Sequence, residues 1–144
     1  MKILFLCAGR STRDGLVKKD IERCRMLVQR LRDEIGRAVF TVGDTPGASV
    51  TVSTLISLGM GVRVVEEEFA WRMYLRREVQ ALSAECTSQI LVLREEEYIA
   101  AREWYVSTLH WATVGDVVRP GPLVGSLVDT DGRTVEFIDP DKHR

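Results

Sequence analysis

Histidine is scarce in this sequence: the 144 residues hold two, His110 and His143. No apolar run is long enough to cross a bilayer, and Ile3-Leu4-Phe5-Leu6 is too short for a signal-peptide core. The expectation is a cytoplasmic protein without membrane association. The three cysteines, Cys7, Cys24 and Cys86, are odd in number and lack metal-ligand spacing, so they read as reduced thiols. Walker loop, dinucleotide fingerprint and metal constellation are all missing, which leaves no cofactor and no metal to expect. Internal repeats and low-complexity segments are absent too.

What is present is globular. Hydrophobic residues make up 45% and charged residues 28%, with a net charge of −1. One domain over residues 1–144 can bury a core of ordinary size. Charge is unevenly placed. Residues 1–40 carry ten Lys and Arg against five Asp and Glu, and residues 66–103 carry nine Glu against five Arg. Most of these charges interleave with apolar residues at helical spacing, so they read as solvated helix faces and not as a nucleic-acid surface.

Lys2–Cys7 reads as a buried strand, followed by the polar loop Gly9–Gly15. Val17, Ile21, Cys24, Val28, Leu31 and Ile35 then mark one face of a helix, with Gly36 as its C-cap. Ala38–Val42 is rich in strand formers. Ala48–Leu58 carries β-branched residues, but its length and the stop at Gly59 make it a helix. A strand at Val62–Val65, a helix at Glu67–Glu85, a strand at Gln89–Leu93 and a helix from Tyr98 to Leu109 follow. Leu123–Val128 and Thr134–Ile138 flank Asp129-Thr130-Asp131-Gly132, a hairpin signal. The alternation predicts an α/β fold, a three-layer α/β/α sandwich whose mainly parallel sheet ends in a C-terminal antiparallel hairpin.

Ligands of open α/β sheets sit beyond the carboxyl ends of the strands. That selects Cys7 to Arg13, Gly43 to Ser49 and Arg94 to Glu97. Arg10, Arg13 and Arg94 could there meet an anion, since guanidinium forks match phosphate oxygens; the alternative is three unconnected surface arginines. The runs Glu66-Glu67-Glu68 and Glu95-Glu96-Glu97 suit helix N-termini through the helix dipole. Trp71, Trp104, Trp111, Tyr74 and Tyr105 fall on helices, and an aromatic patch among them would serve a partner or a homodimer.

The order of these segments resembles the short phosphohistidine phosphatases of the histidine phosphatase superfamily, with the phosphoglycerate-mutase-like fold. Leu6-Cys7-Ala8-Gly9-Arg10-Ser11 stands where that family ends its first strand in Arg-His-Gly. Thr45-Pro46 stands at its Ser-Pro, Ser49 at the arginine that follows, and Arg94 at its second histidine. The tail Gly121–Ile138 resembles its closing hairpin. In the family the first histidine takes up the phosphoryl group while two arginines and the second histidine balance its charge, so these cations carry most of the rate. Here Ala8 stands in the nucleophile's place, and alanine cannot accept a phosphoryl group. The resemblance therefore implies a catalytically degenerate protein, a pseudophosphatase with no catalytic residue. Cys7, Ala8, Gly9, Arg10, Ser11, Arg13, Ser49 and Arg94 would line its ligand site. The partner would be an anionic small molecule or a phosphorylated protein.

A second resemblance competes. Cys7 to Arg13 spells Cys-x5-Arg after the first strand, similar to the phosphate loop of low-molecular-weight tyrosine phosphatases and arsenate reductases. It implies Cys7 as thiolate nucleophile, Arg13 on the phosphate oxygens and Asp139, of Asp139-Pro140, as general acid. Asp14 beside Arg13 would oppose a dianion, and the hairpin at residues 123–138 has no place in that fold.

Overall fold

The computed structural model describes residues 2–35, 38–42, 45–60, 63–66, 88–108, 113–114, 118–129 and 134–142. The helix expected at Glu67–Glu85, the cap at Gly36 and most of the turn after Asp129 lie outside the described residues, as do Cys86, His110 and His143.

Strand β1 (Lys2–Cys7) is followed by the short strands β2 (Ser11–Thr12) and β3 (Gly15–Leu16), then helix α1 (Lys18–Ile35). Strand β4 (Val39–Val42), helix α2 (Pro46–Ser57) and strand β5 (Arg63–Glu66) come next. After them stand β6 (Gln89–Leu93), helix α3 (Glu95–Thr108), β7 (Thr113–Val114) and the hairpin β8 (Gly125–Asp129) and β9 (Thr134–Ile138). The sheet order is β5-β4-β6-β1-β8-β9-β7. Ladders β5/β4, β4/β6, β6/β1 and β9/β7 are parallel, while β1/β8 and β8/β9 are antiparallel. The sheet is thus mixed. The hairpin pairs directly with β1, and Leu123, expected in its first strand, lies instead in the preceding turn.

β1 and β6 are apolar on both sides because both of their faces are covered. Leu4, Leu6, Phe40, Val42, Ile90 and Val92 pack with Cys24, Leu27, Val28, Leu31 and Ile35 of α1 and with Ala48, Val52 and Leu55 of α2. Ile3, Phe5, Cys7, Leu91 and Leu93 pack with Tyr98 and Ala101 of α3.

Local signals settle α2 as a helix despite its valines and threonines. Thr45 caps it, its hydroxyl accepting from the Ala48 amide at 3.2 Å, and Pro46 fits the first turn, where no amide partner is needed. The helix ends in a Schellman arrangement: Gly59 (φ +94°) donates to Ile56 O and Met60 donates to Leu55 O.

One buried polar pair ties α3 to the hairpin. Tyr98 Oη and Ser126 Oγ lie 2.6 Å apart, both without solvent exposure. Tyr98→Phe is expected to lower stability by about 1–2 kcal/mol, because Ser126 keeps a desolvated hydroxyl without its partner. The double variant Tyr98→Phe/Ser126→Ala removes both polar groups, and urea denaturation should show it recovering much of that loss.

Candidate functional site

β1 and β6 end side by side, with Cys7 opposite Leu93 and the Ala8 amide donating to Leu93 O at 2.7 Å. On the other side Cys7 N donates to Val124 O and Cys7 O accepts from Leu123 N. Arg94 follows β6 directly, so Ala8, Gly9 and Arg94 share one end of the sheet. The start of α2 closes on the same place: a Cβ on Gly47 would lie 2.6 Å from Gly9 O and 3.9 Å from the Ala8 methyl. Thr51 joins the two segments, accepting from the Gly9 amide at 2.9 Å and donating to Gly47 O at 2.6 Å.

The space above Gly9 is filled. A Cβ there would stand 2.9 Å from Cδ2 atoms of both Leu16 and Leu123. Leu123 is itself held at φ +61°, a left-handed conformation that costs a non-glycine residue about 1–2 kcal/mol. Its full burial and the bond to Cys7 O hold it there.

The backbone beyond Gly9 is committed as well. Arg10 N donates to Asp20 Oδ2 at 2.7 Å, and Arg10 O accepts from Val17 N. Ser11 and Thr12 pair with Leu16 and Gly15 as a small hairpin, which places Arg13 and Asp14 at its tip. Thr12 sets the turn by donating to Gly15 O and accepting from the Asp14 amide, and Gly15 takes φ +127°. The polar run Gly9–Gly15, expected as a loop, thus carries a small strand pair.

Of the three arginines expected around an anion, two hold carboxylates of the chain. Arg10 grips Asp20 with Nε and Nη2 at 3.1 and 3.0 Å. Arg94, largely exposed, has Nε 3.0 Å from Glu97 Oε1. Arg13, Ser11 and Ser49 are exposed. Asp20 was missed, although it left a trace: with Cys24, Leu27, Val28, Leu31 and Ile35 it forms the buried stripe of α1 at helical spacing.

Cys7 differs from a phosphate-loop cysteine in three respects. Its side chain is buried in the α3-side core, and burial, with Glu95, Glu96 and Asp20 adding to it, pushes the thiol pKa up to about 12. The amides of Ala8, Gly9 and Arg10, which would have to face phosphate oxygens, donate to Leu93 O, Thr51 Oγ1 and Asp20 Oδ2. Asp139 follows β9, two strands from β1, and there lines a groove with Met26, Leu27 and Arg30 of α1 and accepts from the Asp141 amide. A buried thiol beside amides that already have acceptors contrasts with the exposed thiolate and open cradle that the Cys7/Arg13/Asp139 reading calls for. Cys24 is equally buried, with its pKa raised to about 12 by burial and then by Asp20. Iodoacetamide at neutral pH should therefore leave Cys7 and Cys24 unmodified in the native protein and label both after denaturation. Mass spectrometry of the tryptic peptides checks this.

Solved structures share this fold. The chain is similar to a protein assigned as the phosphohistidine phosphatase SixA of Agrobacterium tumefaciens, with 15% identity and a TM-score of 0.52 over 96% of this chain and 95% of that one. It is also similar to a phosphoglycerate mutase of Plasmodium falciparum, with 11% identity and a TM-score of 0.51 over 100% of this chain and 94% of that one. The α/β architecture with its mixed sheet is accordingly the histidine phosphatase fold. No protein-family model matches the chain, and no curated protein matches it in sequence.

Proposed function

We propose that this chain is a cytoplasmic pseudophosphatase, a three-layer histidine-phosphatase-like domain that acts by binding and not by phosphoryl transfer. The observation that carries the reading is the end of β1. Ala8 offers no nucleophile there, and the three amides after Cys7 donate to acceptors within the chain. Phosphoryl transfer depends on positioned donors and cations around the moving group, and those of Ala8 to Arg10 already have partners. No described helix is long and apolar enough to cross a membrane.

What remains for a ligand is the outer surface of this end. It comprises Arg13 at the hairpin tip, Ser11 and Ser49, all exposed, and Arg94, whose exposed guanidinium is shared with Glu97. These groups suit a phosphorylated or acidic segment of a partner protein. Purified protein is expected to show no turnover of para-nitrophenyl phosphate or of a phosphohistidine peptide between mildly acidic and neutral pH. A phosphorylated peptide that binds should lose about tenfold in affinity in Arg13→Ala/Arg94→Ala, as expected for losing charge-assisted hydrogen bonds. Turnover abolished in Cys7→Ser and Arg13→Ala would overturn the reading.

A further inference from the structure

Asp20 sits where α1 calls for an apolar residue, and its carboxylate has no solvent exposure. A buried charge in such a place is often no more stabilising than a hydrophobic side chain of the same size, so its presence needs an explanation. Four donors converge on it: the Arg10 amide, Arg10 Nε and Nη2, and Arg23 Nη1 at 2.7 Å. Arg23 turns its other side to Asp141, with Nε and Nη2 at 2.9 and 3.0 Å from the two carboxylate oxygens. Arg10 differs from Arg23 in exposure and in place. Its side chain is 56% exposed against 13%, and it stands just past the carboxyl end of β1, where open α/β sheets take their ligands.

The Arg10 fork, the Arg10 amide and one nitrogen of Arg23, all aimed at one pair of oxygens, form an oxyanion receptor. We propose that Arg10 and Arg23 form a binding site for a carboxylate or phosphate monoester, which the chain keeps filled with its own Asp20. The inference deepens the reading of this end as an anion-binding surface and rests on it. A tethered carboxylate acts at high effective concentration, so an outside anion gains Arg10 only by displacing it.

Asp20→Asn removes the internal charge while keeping its shape. In titrations with inorganic phosphate at constant ionic strength, this variant should bind at least tenfold more tightly than the parent protein. The gain should vanish in Asp20→Asn/Arg10→Gln. Asp141→Asn, which loosens Arg23 but leaves Asp20 in place, should not produce it. If Asp20→Asn is unfolded in phosphate-free buffer, phosphate should restore its circular dichroism where chloride at equal ionic strength does not. No gain, no restoration, or a gain that survives Arg10→Gln would overturn the proposal. Phosphatase turnover would defeat the proposed function while leaving this titration to be decided separately.

Discussion

Asp20→Ala is expected to lose about 3 kcal/mol of stability, the range seen when one member of a buried ion pair is removed. Arg23 is nearly enclosed and its Nη1 would lose its acceptor, as would the Arg10 amide. Burial by itself raises the pKa of the Asp20 carboxyl. Hydrogen bonds from the Arg10 side chain and amide and from Arg23 outweigh burial and hold the carboxyl below the ordinary carboxylate value. A group whose folded-state pKa is depressed stabilises the protein at pH values above its unfolded pKa, and loses that contribution as the pH falls through the folded value. The stability difference between the parent protein and Asp20→Asn should therefore be complete at neutral pH and shrink only below the ordinary carboxylate range. Urea denaturation across pH measures it. A difference that grows on acidification would contradict the ion-pair account.

Gly47→Ala should be destabilising by roughly 2 kcal/mol, the cost of overpacking a tight contact. Helix propensity alone points the other way, since alanine is favoured over glycine by about 1 kcal/mol within a helix. The close approach decides the sign. The new methyl would meet the Gly9 carbonyl at 2.6 Å, and the obstacle is backbone and not the end of a flexible side chain. Either α2 or the Ala8–Gly9 segment must move, which breaks the Thr51 bridge between Gly9 N and Gly47 O. Faster hydrogen exchange at the Gly9 amide should accompany the loss. A stabilised variant would show that the contact is not a constraint.

Much of the scaffold was legible. β1 and β6 announce themselves as continuous apolar runs because both their faces are covered. The stripe of α1 and the strands of the terminal hairpin follow their periods, and Thr45-Pro46 with Gly59 outweigh the β-branched residues of α2. Strand order was not legible: the pairing of β8 with β1 joins residues about 120 apart, and no local pattern encodes it. At the candidate site, the side-chain partners were not legible. Nothing in the spacing of Arg10 and Arg94, which left an anion site and unconnected surface arginines equally open, shows that Asp20 and Glu97 pair with them. An aspartate in a charged helix looks solvated until its spacing is set against Cys24, Leu27 and Leu31. Nor does Gly47 announce that its missing side chain makes room for a carbonyl.

The claim that no residue at the end of β1 accepts a phosphoryl group is tested most directly by looking for the covalent intermediate. The protein would be mixed with excess para-nitrophenyl phosphate at mildly acidic and neutral pH, quenched on the millisecond to minute scale, and weighed intact by mass spectrometry. The account predicts the unmodified mass at every time. A phosphorylated species that appears and decays, and that maps to residues 7–13, would contradict it.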